Sequence, residues 1–167
     1  MNSEGSKLHA DHVIRSAYPA PGDSSAYADG DLIGTKLTFT DVVANDRGGG
    51  LIKNVIIVDL DGNSAEMDLF LFDTDLETNT GTGAKTNWST GDNAAADICD
   101  SDALNIIGAI NISTGDYAAA GAGIAAVEVD LPFYVPGRNM YGIVVSGGTP
   151  QFNSTGTLLV KLAIERD

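Results

Sequence analysis

Short segments in which apolar and polar side chains alternate every two residues constrain this chain more than any other feature. Between residues 158 and 164 every second side chain is a large aliphatic one, and Lys161 lies on the opposite face. The same alternation occurs in residues 32–40, 66–73 and 125–131. A repeat of two residues places alternate side chains on opposite faces of a β-strand, whereas a helix needs a repeat near 3.6. The sequence therefore predicts an all-β fold.

Seven or eight such strands are predicted, with turn sequences between them. Residues 55–58 are apolar on both faces, which predicts a central strand covered on both sides. The Asp-Gly-Asn sequence at 61–63 predicts an antiparallel hairpin between residues 51–60 and 66–73. At most one short helix is expected, over residues 94–100. We therefore expect an antiparallel two-sheet β-sandwich, with a jelly roll preferred to an immunoglobulin-like arrangement.

Two further segments bear on how these strands pack. Phe70 and Phe72 alternate with the aliphatic residues of the 66–73 segment, so part of the outer face of that strand is expected to be covered. Residues 48–50 are three glycines, but neither a Lys-Ser/Thr pair nor the start of a helix follows them, as a phosphate-binding loop requires. They predict a flexible link between two strands.

The chain of 167 residues has the length of one domain. Residues 1–30 are expected to form an extended N-terminal arm, because two prolines and many small polar residues disfavour a helix there. Residues 31–167 are expected to form the β-sandwich. Four residues of the arm are candidates for contacts with a neighbouring subunit: Tyr18, Pro19, Pro21 and Tyr27. On this hypothesis a chain without residues 1–26 still folds.

The charge of the chain limits its partners. It has 9 Lys and Arg against 23 Asp and Glu, a net charge of -14, which disfavours nucleic acid and anionic membranes. Eleven of the acids fall in residues 59–102, where Lys85 is the only base, and they predict an acidic cap that faces solvent. Cys99 is the only cysteine, and residues 1–13 lack the apolar region of a signal peptide. We expect synthesis inside the cell and no nucleic-acid or membrane partner.

Catalytic chemistry is not expected. A Ser or Cys nucleophile needs a positioned base, and the only histidines, His9 and His12, lie in the predicted arm. Paired carboxylates are harder to dismiss in so acidic a chain, but most of them are expected to be solvated. The sequence therefore predicts a non-enzymatic protein without a cofactor.

Calcium is the best inorganic candidate. Asp59, Asp61 and Asn63 imitate the start of a calcium-binding loop. However, glycine occupies loop position 4 instead of 6, and Phe70 stands where the loop needs glutamate. A hairpin turn explains the same residues more simply, so no metal site is predicted. A calcium-dependent lectin-like module remains a minor alternative.

Residues 74–93 are rich in Thr, Asn and Gly and predict a long loop in which Trp88 is the only large apolar side chain. An exposed tryptophan on such a loop is a candidate contact for a glycan. The main alternative function is therefore a carbohydrate-binding β-sandwich.

Several segments together resemble a known family. They are Ala26–Gly34, Val58–Asp61, Asp68–Asp73, Leu131–Phe133, Tyr141–Val145, Gly148–Pro150 and Leu158–Glu165. In these segments the chain resembles small virion structural proteins of tailed bacteriophages, encoded near the major capsid protein. The resemblance implies a capsid decoration or cement protein with a β-sandwich or jelly-roll body, and it brings no catalytic residues.

Membership in a phage particle would make the carbohydrate-binding alternative a tail or host-recognition protein. Membership would also imply partners and a location. The expected partners are the major capsid protein and further copies of the chain itself, in a homotrimer. The protein would be made in the cytoplasm of the bacterial host and would bind the outer surface of the capsid, where it bridges capsomers, with its acidic end facing outward.

Overall fold

The alternation in the sequence becomes an alternation of buried and exposed side chains in eight β-strands. In the last strand Leu158, Val160, Leu162 and Ile164 are buried, and the residues between them are half-buried. A computed structural model describes residues 11–22, 25–76, 92–118, 123–153 and 156–166. The strands are β1 (Asp11–Ala17), β2 (Leu37–Phe39), β3 (Gly48–Asp59), β4 (Met67–Phe72), β5 (Ile106–Ile112), β6 (Gly123–Val135), β7 (Met140–Ser146) and β8 (Leu158–Arg166). The short helix predicted over residues 94–100 begins instead at Asp100, as the single turn α1 (Asp100–Ala103), and a 3-10 turn covers Thr114–Asp116.

The eight strands form two sheets in which all pairs are antiparallel. The first sheet has the order β1-β8-β3-β6 and the second has the order β2-β7-β4-β5. The main core contains buried side chains from both sheets, such as Ile57 and Val160 of the first and Leu69 and Val144 of the second. These sheets confirm the predicted β-sandwich.

The strands pair in a nested order. β1 pairs with β8, β2 with β7, β3 with β6, and β4 with β5. β8 also pairs with β3, and β7 with β4, which joins these four pairs into two sheets. Among the eight strands described, only the connection from β4 to β5 stays within one sheet.

The predicted hairpin between residues 51–60 and 66–73 is wrong, because β3 and β4 belong to different sheets. The carboxylate of Asp59 accepts hydrogen bonds from the backbone N–H groups of Asp61, Gly62 and Ser64, at 3.0 to 3.2 Å. This turn leads the chain from the first sheet to the second. An Asp-Gly sequence signals a turn, but it does not decide whether the two strands beside it pair.

The outer face of the second sheet is partly covered, as Phe70 and Phe72 predicted. Phe72 is fully buried in a second apolar cluster with Leu32, Ile143 and Val145, against which Phe70 packs. Backbone hydrogen bonds join residues 30–32 to residues 93–96 across this face. The two segments form the layer that covers this part of the sheet.

The glycines at 48–50 are not a flexible link. They are the first residues of β3 and pair with Phe133, Tyr134 and Val135 at the end of β6. β6 itself continues through Pro132 as one strand of 13 residues. Proline is tolerated there because β6 lies at the edge of the first sheet.

The domain begins earlier in the sequence than predicted. Residues 11–17 form β1, and all seven pair with β8, so they are part of the sandwich rather than of an arm. The boundary expected at residue 30 is therefore corrected to residue 11 or before. Residues 1–10 lie outside the described part of the chain.

Candidate functional site

The outer face of the first sheet carries a row of aliphatic side chains that no other element of the sandwich covers in the described residues. Val58 of β3 lies directly opposite Ile124 of β6 and Leu159 of β8, so the three side chains share one face. Ile124 is 41% exposed, and Val58 and Leu159 are half-buried. We call these three residues the aliphatic row.

The next residues along the same face continue this surface. Ile56 lies opposite Ala126 on one side and Lys161 on the other. Further along, the face becomes charged where Lys53 forms an ion pair with Asp130. Lys53 stands at an irregularity of the β3 ladders, and the hydrogen bond that it donates to Asp130 is the main cause that raises the pKa of the lysine. The aliphatic row thus occupies one end of the face. The aliphatic row and the adjacent row of Ile56, Ala126 and Lys161 together contain one lysine and no carboxylate.

A groove lies at the opposite end of the same face. It has a volume of about 670 Å³ and is lined by residues 47–51 and 132–134 and by Glu165. Tyr134 is 55% exposed beside Gly49, its partner across β3 and β6. We call this feature the Tyr134 groove. No motif in the sequence predicts this groove, although the glycine triplet indicates a stretch of strand without side chains.

The predicted arm contacts are mostly contacts within this chain. Pro19, Pro21 and Tyr27 are buried, and only Tyr18 is exposed. The carbonyl oxygen of Pro19 accepts a hydrogen bond from the hydroxyl of Thr35 at 3.1 Å. Three of the four candidates are therefore corrected: they attach residues 19–27 to their own domain instead of a neighbouring subunit.

Asp92 makes the strongest of these attachments. Its carboxylate accepts hydrogen bonds from the backbone N–H groups of Gly22 and Gly34, at 2.5 and 2.6 Å, and from the hydroxyl of Tyr27. We call this set the Asp92 junction. It joins residues 22–34 to Asp92, which lies 58 to 70 positions further along the chain. Its role is structural, since the oxygen atoms of the carboxylate already accept protein donors.

The three calcium candidates, Asp59, Asp61 and Asn63, form hydrogen bonds with other parts of the chain. The Asp59 carboxylate accepts the backbone donors of its own turn, and Asp61 accepts two hydrogen bonds from Asn153, at 2.9 and 2.8 Å. Asn63 exchanges hydrogen bonds with the backbone of Gln151. These bonds hold the 59–64 turn against residues 151–153. In the five described ranges, no three His, Cys, Asp or Glu side chains are grouped so as to hold a metal ion.

The acids of residues 59–102 do not form a single cap. Asp59 and Asp61 follow the end of β3, whereas Asp73 and Asp75 follow the far end of β4. A strand of six residues separates its two ends by about 20 Å. Asp102 is buried, with the Cys99 Sγ at 3.2 Å from one of its oxygens. The predicted acidic cap is therefore corrected to acids at both ends of the sandwich, some of them buried.

Of the remaining candidates, His12 alone lies in the part of the chain that the structure describes. His12 is exposed in β1, where it pairs with Glu165, whereas His9 and Trp88 lie outside the described residues. Within the described ranges, no helix is long and apolar enough to cross a bilayer.

Comparisons with known proteins found no relative. No family model matches the chain, and no curated protein or solved structure matches it either. Function is therefore inferred from the surfaces of the chain itself.

Proposed function

We propose that this chain is a non-enzymatic virion structural protein, a capsid decoration protein that binds the outer surface of a phage capsid. The aliphatic row on the outer face of the first sheet is the observation that carries the proposal. Val58, Ile124 and Leu159 offer a preformed apolar surface on a rigid sheet. Docking such a surface buries apolar area at little entropic cost, because its strands are already ordered.

We further propose that the sandwich is a jelly roll. Pairing of the first strand with the last, the second with the seventh, and so on inward supports it, since a jelly roll is a long antiparallel ladder rolled into two sheets. This architecture recurs in viral capsid proteins and in lectins. It agrees with the segments that resemble phage structural proteins.

The charge distribution supports the choice of this face. The chain as a whole has a net charge of -14, yet the aliphatic row and its neighbouring row contain Lys161 and no carboxylate. An acidic capsid surface would be repelled by most of the protein but not by this end of the sheet. Tyr18 remains a candidate contact, because it is exposed directly after Ala17, which pairs with Val160 next to Leu159.

The proposal is tested with particles from a host that expresses this chain. We expect image reconstruction to show the protein as density on the outside of the shell, bridging capsomers, and the mass of the free protein in solution to be that of a trimer. Ile124→Glu combined with Leu159→Glu should reduce occupancy at least tenfold. Leu104→Glu, which changes an exposed leucine after α1, should leave occupancy unchanged.

The two surface variants should unfold at the same urea concentration as the unaltered chain, so that lost occupancy reports lost binding. Full occupancy by the folded double variant would exclude the aliphatic row as the docking surface. Particles without the protein would contradict the proposed function as a whole.

A further inference from the structure

The Tyr134 groove has features of a ligand site that the proposed capsid docking does not use. It lies on the same sheet face as the aliphatic row, but at the other end of β3. Its volume, about 670 Å³, falls within the usual range of small-molecule pockets, about 300 to 1,000 Å³. An exposed aromatic ring and two charged side chains line it.

One glycine keeps this groove open. Gly49 lies opposite Tyr134 and has no side chain to cover the ring. Gly48 and Gly50 lie opposite the buried Val135 and Phe133, so these two positions face the core instead of the groove.

Two charged side chains complete the lining. Arg47 is exposed, and no carboxylate of the described residues forms an ion pair with its guanidinium. Its backbone is held in the left-handed region, with φ of 60°, and its N–H donates to the carbonyl oxygen of Pro136 at 3.2 Å. Glu165 lines the same groove. The guanidinium offers several donors and the carboxylate offers acceptors.

We propose that the Tyr134 groove binds a neutral saccharide. The apolar face of a pyranose ring would stack on Tyr134, while its hydroxyl groups donate to Glu165 and accept from Arg47. Anionic ligands are opposed by Glu165 and by the net charge of -14. This site is independent of the proposed capsid docking and differs from the Trp88 loop.

The experiment is a glycan array of neutral and acidic saccharides probed with the full chain, followed by calorimetric titration of the best neutral ligand. We expect saturable binding to neutral glycans only. Tyr134→Ala should weaken the affinity at least tenfold, and Arg47→Met should weaken it severalfold. Tyr18→Ala, which removes another exposed tyrosine, should leave the affinity unchanged.

Three outcomes would overturn the site: an array with no saturable binding, binding confined to acidic glycans, or full affinity in a folded Tyr134→Ala variant. Loss of binding in Trp88→Ala together with full affinity in Tyr134→Ala would assign glycan binding to the 74–93 loop instead. Capsid occupancy of the Tyr134→Ala and Arg47→Met variants should not change, which separates this site from the proposed decoration function.

Discussion

The hydroxyl of Tyr27 donates a hydrogen bond to the carboxylate of Asp92, 65 residues further along the chain. The Tyr27 ring meanwhile packs edge-on against Phe152, with 5.7 Å between the ring centroids. One side chain therefore connects the segment after β1, the segment before α1 and the loop before β8. This contact explains why Tyr27, which the sequence places in an extended arm, belongs to the folded domain.

Loss of this hydroxyl should destabilise the fold without changing its packing. Tyr27→Phe keeps the buried ring and removes one donor to a charged acceptor, so we expect a loss of about 1 to 2 kcal/mol in the free energy of unfolding. Urea denaturation measures it. Tyr18→Phe is the matched control, since Tyr18 is exposed and should lose less than about 0.5 kcal/mol. Equal effects of both changes would contradict the importance of the Asp92 junction.

Three glycine substitutions should separate backbone strain from steric overlap. Gly34 has φ of 72°, and an added Cβ would lie 2.0 Å from the carbonyl oxygen of Pro19, so Gly34→Ala should cost more than about 3 kcal/mol. Gly30 has φ of 86° with open space around it, so Gly30→Ala should cost only about 1 kcal/mol. Gly137→Ala meets neither problem and should be close to neutral. Urea midpoints that do not follow this order would contradict the close approach at Gly34.

Loss of the Asp59 carboxylate should destabilise the protein much more than loss of the surface ion pair between Lys53 and Asp130. Asp59→Ala removes the carboxylate that accepts from the backbone N–H groups of Asp61 and Ser64, while the N–H of Gly62 keeps the carbonyl oxygen of residue 59, and we expect a loss of about 3 kcal/mol. Lys53→Met removes the exposed ion pair with Asp130 and should change the free energy of unfolding by less than about 1 kcal/mol. Thermal unfolding of both variants at neutral pH makes the comparison. The reverse order would contradict the buried role of Asp59.

Asp61 should add stability that disappears in acid. Burial opposes its charged form, but hydrogen bonds from Asn153 and Thr157 outweigh burial and lower the pKa of Asp61 from 3.8. A lowered folded-state pKa stabilises the protein above the unfolded value of 3.8, and this stability is lost as the pH falls through the folded value. Asp61→Asn should therefore destabilise the protein at pH 7, and by less at pH 3.

Asp46→Asn provides the control for this titration, because Asp46 is exposed in the connection between β2 and β3. Urea midpoints should show little effect of Asp46→Asn at either pH. A difference between the unaltered chain and Asp61→Asn that stays constant from pH 7 to pH 3 would exclude a role for the Asp61 charge.

Truncation should locate the start of the domain. Deletion of residues 1–10 leaves all seven pairs between β1 and β8, so the shortened chain should fold. Deletion of residues 1–26 removes β1 and also Gly22, whose backbone N–H donates a hydrogen bond to Asp92. We expect this deletion to abolish cooperative unfolding. The earlier expectation of a folded chain without residues 1–26 is thus reversed. A cooperative transition in the longer deletion would restore the arm hypothesis.

The aliphatic row could be predicted in part from the sequence. Residues 55–58 are apolar at every position, which predicts a strand with two apolar faces, and Ile57 is indeed in the core. The sequence pattern predicted a cover over Ile56 and Val58, yet both remain half-exposed on the outer face. The second face is apolar without a cover from the described residues, which is why it is a candidate for docking.

The Tyr134 groove and the Asp92 junction could not be predicted from the sequence. Tyr134 lies 85 positions after Gly49, and Asp92 lies 70 positions after Gly22, its partner in a hydrogen bond. No local sequence pattern predicts either contact. The register of β3 with β6 places Gly49 opposite Tyr134, and the return of residues 92–96 to the second sheet places Asp92 near Gly22.

By itself the sequence determined that the chain forms β-strands and which side chains of most strands face the core. These properties follow from a repeat of two residues, which acts within each segment. Tertiary structure alone decided that β3 and β4 part into different sheets, that residues 11–17 complete the first sheet, and which outer faces stay open. Pairing partners are chosen by hydrogen bonds and burial between segments distant in the chain, and no local pattern records that choice.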